Sequence, residues 1–579
     1  MTISCHGLGV AGTQAIAVGK AFLINRGPVV LLPRRIAEHL VPEEHRRLEQ
    51  ALQAARTALR NVRNQLPRST SINIAEFIDT HLLMLEDSAL LDAVRALIAN
   101  ELWGAEWALQ IQKDSLVKVF DDMEDPYLRT RRDDVEHVVS QIQDYLRGPQ
   151  EQPKHFGEDF SGCVIIADDI TPADAILLRH QGAAAFVTEF GGPMSHTAIL
   201  ARSLNVPAVV GVHDVTRYVH HGETIVVDGE TGTVLTDVDD TVLYFYRERL
   251  RAIDKRRQQL RSLVAEPSLS ADGIEVTLLV NLELPEDIAA AKANRPAGVG
   301  LYRTEFLYMN REDLPDEEEH LQTYRNVMDG LDGIPITIRT LDLGVDKPAD
   351  VSSNVCPPPS NPALGLRAIR LCLKEPELFR PQLRAIFRAS AFGPVRLMIP
   401  MISSARELDT VIGLIEKVKT ELRDEGLDFA EDIPLGAMIE VPAAALTAEA
   451  LARRLDFLSI GTNDLIQYTF AIDRVDDAVS HLYDPANPAI LRLIQMTIDA
   501  GLKLGKPVSM CGEMAGDTKF TRLLLGMGLL EFSMQPGSLL EVKEIIRGSN
   551  IAELRRKTGE LFQQLDHLEG YQVLEAMNR

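Results

Sequence analysis

The densest chemistry in the 579-residue chain lies in Gly191–Gly211, GGPMSHTAILARSLNVPAVVG. An apolar run ends at Thr188, two glycines free the backbone, and Ser195 is placed to cap a helix with His196 in or beside its first turn. The N–H groups and the positive dipole end of such a helix favour an incoming phosphoryl group. The same field disfavours imidazolium and leaves a neutral, nucleophilic ring. A histidine beside glycines also serves structural ends, and the loop by itself leaves both readings open. Thr171, in an Asp-Ile-Thr-Pro segment of the same region, is a candidate hydrogen-bond partner for the ring.

A second set of groups recurs behind apolar runs in the C-terminal half: Arg303-Thr-Glu305, Arg339-Thr-Leu-Asp342, Glu440, Asn463-Asp464 and Cys511-Gly-Glu513. Arg367 and Arg474 stand in connecting segments. Charged residues flank most strands, and a lone arginine is usually surface. Here arginines, acids and a cysteine fall at the same end of successive runs. Guanidinium groups grip phosphate or carboxylate bidentately. Two carboxylates plus substrate oxygens suit Mg²⁺, which rarely has an all-protein cage. The set predicts a small, multiply anionic, phosphorylated substrate. Cys511 has two readings, a small buried hydrophobe or a proton donor to carbon when phosphate leaves an enol.

The elements that must position these groups are legible from periodicity. From Gly273 onward, strand-like runs at 275–280, 298–302, 336–338, 395–399, 435–439, 457–460, 507–510 and 531–534 alternate mostly with helix-length segments. Eight such alternations predict a (β/α)₈ TIM-type barrel, whose chemistry sits at the C-terminal ends of its strands. Upstream, runs at 162–167, 184–188, 208–212 and 224–227 predict a small α/β domain that a strand near residue 20 could join. Between them Leu48, Leu52, Ala55, Leu59, Val62 and Leu66 follow the seam of a long amphipathic helix. Helices over 75–100, 105–123 and 126–147 complete a bundle inserted into that domain, and 239–266 reads as one charged connecting helix ending at Pro267.

Net charge of −24 and a pI near 5.1 argue against nucleic acid or anionic membrane as the main partner. Five scattered cysteines without a CxxC argue against a disulfide framework or zinc site and for a reducing compartment. The N-terminal MTISCHGLGVAG has no basic or long apolar leader, and no run of about 18 apolar residues occurs, so a cytoplasmic protein without membrane insertion is expected.

The histidine loop resembles the phosphohistidine signature of phosphoenolpyruvate-utilising enzymes. GVGLYRTEFLYM, IRTLDLGVDK, NPALGLRAIR, LRAIFRASAFG, LGAMIEVPAA, FLSIGTNDLIQYTFAIDR and MCGEMAGD are similar to successive barrel motifs of the enzyme I branch, the phosphoenolpyruvate-protein phosphotransferases of the bacterial phosphotransferase system. The resemblance runs nearly end to end and in order. It implies a multidomain α/β chain with a C-terminal (β/α)₈ barrel, a small swivelling phosphohistidine α/β domain and an inserted α-helical bundle. The corresponding domains are 1–24 with 148–238 for phosphohistidine, 25–147 for phosphocarrier binding, 239–266 as linker helix, and 267–579 as the phosphoenolpyruvate-binding, dimerising barrel.

The resemblance further implies that Glu440 and Asp464 hold Mg²⁺, that Arg303, Arg339 and Asn463 bind the phosphate and that Arg474 takes the carboxylate. His196 would attack phosphorus, Cys511 would protonate the departing enolpyruvate, and phospho-His196 would pass its group to the phosphocarrier protein HPr. Arg367, Lys347 and Arg202 take further anion-binding roles, and the barrel forms a homodimer. Pro193-Met194 and Val345 depart from the family's usual Arg-Thr and glycine at those places. The alternatives are a nitrogen-related regulatory branch and a pyruvate phosphate dikinase, whose ATP-grasp domain the residues ahead of the histidine domain cannot house. A scaffold without activity would have lost one of the key groups, and all are present.

Overall fold

A computed structural model describes the chain except residues 1, 11–15, 25–32, 66–79, 86, 122–134, 136–137, 144, 147–159, 169, 171–173, 176–177, 180, 193–196, 199–200, 202–205, 284–286, 309–312, 344–363 and 474–478. Two compact units divide it, Met1–Lys255 and Arg256–Arg579.

The first unit is built on an eight-stranded sheet of β1 (Ile3–His6), β2 (Leu8–Gly9), β3 (Ile16–Ile24), β4 (Cys163–Ala167), β5 (Ala185–Thr188), β6 (Ala208–Val210), β7 (Thr224–Asp228) and β8 (Thr233–Thr236). The order is β1-β8-β7-β3-β4-β5-β6-β2. Strands β3 to β6 are parallel neighbours. Residues of β4, β5 and β6 are buried almost throughout, which is why they read as unbroken apolar runs. The remaining pairings are antiparallel.

Strand β3 pairs with β4 in parallel, Ile24 beside Ala167, so the chain between the end of β3 and the start of β4 is an insertion. It holds the helices Val41–Gln65, Ser88–Glu101 and Ala105–Asp121. Leu48, Leu52, Ala55 and Leu59 share one core with Leu91, Val94, Ile98 and Leu109, as the seam predicts. Buried Glu44 accepts from the N–H of Ala105 at 3.0 Å and from Arg47 at 2.7 Å, and Arg47 reaches on to Glu106 at 2.6 Å. The helix expected over 75–100 is interrupted within its described part. Asp87 stands just before Ser88–Glu101, and its carbonyl takes the N–H of Leu91. Aspartate favours a cap over a helix interior. Helix Asp240–Ser262 lays Leu243, Tyr246, Leu250 and Ile253 on Ile16, Val226 and Leu235.

The second unit is the expected barrel. Strands β9 (Thr277–Leu282), β10 (Gly298–Tyr302), β11 (Ile336–Arg339), β12 (Val395–Ile399), β13 (Leu435–Ile439), β14 (Phe457–Ile460), β15 (Val508–Met510) and β16 (Glu531–Met534) run parallel, and β16 closes on β9. Leu301, Met398, Met438, Phe457 and Cys511 form one apolar cluster, and buried Asn281, Ser459 and Ser533 add a polar set. Helices on the outside are capped by their own sequence, as in Ala405–Asp424, where Ser404 and Glu407 close a capping box.

Candidate active site at the barrel mouth

Each rim residue expected from sequence and present among the described residues follows the C-terminal end of a strand or stands in a connecting segment. Arg303 and Glu305 follow β10, Arg339 ends β11, Glu440 follows β13, Asn463 and Asp464 follow β14, and Cys511 follows β15. The structure joins several of them into one charged network.

Arg339, 8% exposed, pairs with Glu305 at 2.9 Å and Asp342 at 3.0 Å. Asp342 turns its other oxygen to Arg367 at 2.9 Å, and Arg367 donates to Tyr468 Oη at 3.1 Å and stands 3.6 Å from Asp464. Asp342 is thus a bridge between two guanidinium groups. Burial pushes its carboxyl up, but Arg339 and Arg367 outweigh that and hold it below the ordinary carboxylate range. Burial would also pull both arginines down, and the surrounding carboxylates more than restore them. Both are therefore permanently charged.

Glu440, 2% exposed, accepts the Met401 N–H at 2.6 Å. Met401 adopts φ 57°, a left-handed conformation uncommon for a non-glycine residue. Burial, then the charges of Asp342 and Asp464, push the Glu440 carboxyl up to about 8, against the pull of Arg339. Asp342, Glu440 and Asp464 offer oxygens that all lie within 4.8 Å of one another. Asp342 is already committed to two arginines, which leaves Glu440 and Asp464 as the pair fitted to a divalent cation. A crowded acid that resists ionisation when alone is what a cation would relieve.

The Nε atoms of Arg303, Arg339 and Arg367 are buried and have no hydrogen-bond partner. Idle guanidinium donors are costly unless an anion arrives to use them. Arg303 also pairs with Glu283 at 2.6 Å. Asn463 is clasped by Glu513: its amide donates to the carboxylate at 2.9 Å, and its Oδ1 accepts the Glu513 N–H at 3.0 Å. One amide N–H of Asn463 is left over for a ligand. Cys511 is 4% exposed, and burial pushes its thiol up. Its sulfur accepts from Ser459 Oγ at 3.3 Å.

A cradle beneath these residues escaped sequence reasoning. Gln382, fully buried, accepts the Leu341 N–H at 2.9 Å and donates to Thr304 Oγ1 at 3.0 Å. Thr304 in turn donates to the Arg339 carbonyl at 3.1 Å. Glu305, Asp342, Gln382 and Tyr468 carry the network, yet only the first two were visible at strand ends.

His196, Thr171, Arg202, Lys347 and Arg474 lie outside the described residues. Their flanks are informative within the first unit. Gly191 has φ 111°, and the Glu189 carboxylate accepts from both the N–H and the hydroxyl of Thr216 at 2.9 and 2.5 Å. Thr197 donates to the Ile170 carbonyl at 3.1 Å. The residue after His196 is therefore tied to the residue before Thr171.

Comparison with known proteins follows this architecture. Residues 8–131 match the N-terminal domain of PEP-utilising enzymes, 160–232 their mobile domain and 257–551 their PEP-binding domain. A phosphoenolpyruvate-protein phosphotransferase of Cupriavidus necator is 44% identical, with 100% of both chains covered. One from Staphylococcus carnosus is 41% identical, with 94% of each covered. A solution structure of an Enzyme I protein (nEIt) is 29% identical, covering 43% of this chain and 99% of that one, at a TM-score of 0.38.

Proposed function

The chain belongs to the family of phosphoenolpyruvate-protein phosphotransferases, and from that premise we propose that it transfers the phosphoryl group of phosphoenolpyruvate to His196 and then to a histidine of HPr, releasing pyruvate, as the first step of sugar uptake through the phosphotransferase system. The observation that carries this reading is the barrel-mouth network: three arginines with buried, idle Nε donors beside two carboxylates that no arginine fully neutralises.

In this reading Arg303, Arg339 and the spare amide N–H of Asn463 bind the phosphate, Arg474 takes the carboxylate, and Arg367, Lys347 and Arg202 add positive charge. Fixed donors aimed at developing charge stabilise the transition state without reorganisation. Glu440 and Asp464 would hold Mg²⁺, which when bound supplies charge neutralisation to phosphoryl oxygens. His196 supplies the nucleophilic ring nitrogen, with Thr171 as its hydrogen-bond partner, and Cys511 gives its proton to carbon. Residues 1–24 with 148–238 form the phosphohistidine domain, 25–147 the HPr-binding domain, 239–266 the linker helix, and 267–579 the barrel, through which the chain dimerises. Among the described residues no helix is long and apolar enough to cross a membrane, in keeping with a cytoplasmic site of action.

Incubation with Mg²⁺ and phosphate-labelled phosphoenolpyruvate should place acid-labile, base-stable label on His196. An unlabelled wild-type protein, or full labelling of His196→Ala, refutes the reading. Transfer of that label to added HPr tests the second step.

A further inference from the structure

We propose that Ser459 is a positioning residue for the proton delivered by Cys511, holding the sulfur in place and accommodating the thiolate left behind. This rests on the proton-donor reading of Cys511 and extends it to a residue that does not touch substrate.

The argument begins with polar residues where a barrel ordinarily places bulky aliphatic ones. Ser459 belongs to β14 and is fully buried, as is Ser533 of β16, and Asn281 of β9 is nearly so. They converge on Cys511. The Ser533 hydroxyl donates to Asn281 Oδ1 at 2.6 Å, and Asn281 Nδ2 donates to the Cys511 carbonyl at 2.9 Å. A Cβ at Gly300 would collide with Ser533 Oγ, so the glycine in β10 makes room for this chain of bonds. The backbone of Cys511 is thereby fixed, and its N–H is bonded to the Ile460 carbonyl at 3.0 Å.

The sulfur itself receives the Ser459 hydroxyl at 3.3 Å, while its contact to the Ile460 carbonyl is longer, at 3.7 Å. A hydroxyl that donates to sulfur gains strength when the sulfur becomes an anion. Burial alone would make that anion expensive, and the Ser459 bond and the Arg339 charge oppose it.

The step balances as follows. When the phosphoryl group has gone to His196, the C2–C3 π pair of enolpyruvate forms a C3–H bond with the thiol proton. The enolate oxygen closes the carbonyl of pyruvate, and the S–H electron pair stays on sulfur. The Ser459 O–H holds that thiolate until water returns a proton.

The test uses the full chain with Mg²⁺ and phosphoenolpyruvate and reads two rates, labelling of His196 and appearance of pyruvate. Ser459→Ala should slow pyruvate formation roughly tenfold to a hundredfold, the worth of a hydrogen bond to a charged group. His196 labelling and the KM for phosphoenolpyruvate should stay within about twofold, because no phosphate contact is altered. The pH midpoint for alkylation of Cys511, taken as the difference from Cys511→Ala, should rise by about one pH unit or more. Ser459→Thr, which keeps the hydroxyl, should restore the rate, and Ser459→Gly serves if the alanine variant does not fold. Ser459→Ala on a Cys511→Ala background should cost nothing further.

Wild-type pyruvate formation in Ser459→Ala, or an unmoved alkylation midpoint, overturns the proposal while leaving Cys511 as donor if Cys511→Ala is slow. Wild-type pyruvate formation in Cys511→Ala overturns both.

Discussion

Replacing Asp342 by asparagine removes one charge and almost no volume, and it takes a shared counter-ion from buried Arg339 and part-buried Arg367. The side chain is 3% exposed and bridges Arg339 at 3.0 Å and Arg367 at 2.9 Å, with no equivalent bridge to replace it among the described residues. Breaking a buried pair by removing one partner costs about 3–5 kcal/mol, because the remaining charge is left uncompensated. Glu305 still neutralises part of Arg339 and Asp464, 3.6 Å away, part of Arg367, which favours the lower half of that range. For a unit of this size about 2 °C accompanies each kcal/mol, so the barrel transition should fall by about 6–8 °C. Calorimetry is the suitable assay, since both tryptophans, Trp103 and Trp107, belong to the first unit and the barrel has none of its own. Inorganic phosphate at high concentration should recover part of the loss in Asp342→Asn and far less in wild type, because an anion then replaces the missing carboxylate. A barrel transition that moves by less than about 2 °C would show that the bridge is not a principal anchor of the two arginines.

Other perturbations probe the remaining parts. Glu440 keeps its proton in the folded protein up to about 8, whereas the unfolded chain releases it near the ordinary value of about 4.3. The folded state thus binds more protons across that window, and metal-free stability should decline as pH rises through it. The calorimetric shift produced by Mg²⁺ should therefore grow between about pH 6 and 8, and a flat profile would contradict the burial argument. In Gly512→Ala the new Cβ would fall on Thr462 Oγ1 and its backbone N, so overpacking of about 1–3 kcal/mol should accompany loss of turnover. Unchanged calorimetry would mean the loop yields freely. Gln382→Ala leaves the Leu341 N–H without an acceptor, at about 1–3 kcal/mol, and should raise KM for phosphoenolpyruvate by loosening the β10 and β11 ends. An unaltered KM would limit Gln382 to a structural role.

The barrel was legible because its parallel strands are buried on both faces and therefore appear as short unbroken apolar runs. The runs at 298–302, 395–399, 435–439, 457–460 and 531–534 coincide with β10, β12, β13, β14 and β16. Antiparallel edge strands were harder. Ile3–His6 is mostly exposed, and Thr233–Thr236 is four residues with a single leucine and a single valine. Neither carries a periodic signal long enough to separate from a turn. At the rim, residue type and position revealed the arginines and acids, but not which acid faced which arginine. Asp342 stands at a strand end like any flanking acid, and only the fold brings Arg367 to it. Gln382 lies mid-helix, 41 residues from the N–H it binds, and nothing in its local sequence distinguishes it from a surface glutamine. In the histidine loop the glycines and the cap left two readings open, the resemblance of the whole segment chose between them, and His196 itself lies outside the described residues.

The insertion between β3 and β4 sets an order on how this chain acquires its fold. Ile24 must wait for Ala167, its sheet neighbour, until the helical residues between them have left the ribosome. At about 5–20 residues per second that interval is roughly 7–30 s, far longer than a helical bundle rich in local contacts needs to collapse. Ile16 must wait longer still, for Asp228. The helices can therefore gather while β3 remains an unpaired apolar strand, and their core is completed only when Ile165, Phe186 and Val210 of the later strands join it. During synthesis an unpaired apolar strand is thus exposed that later sits at the centre of its sheet.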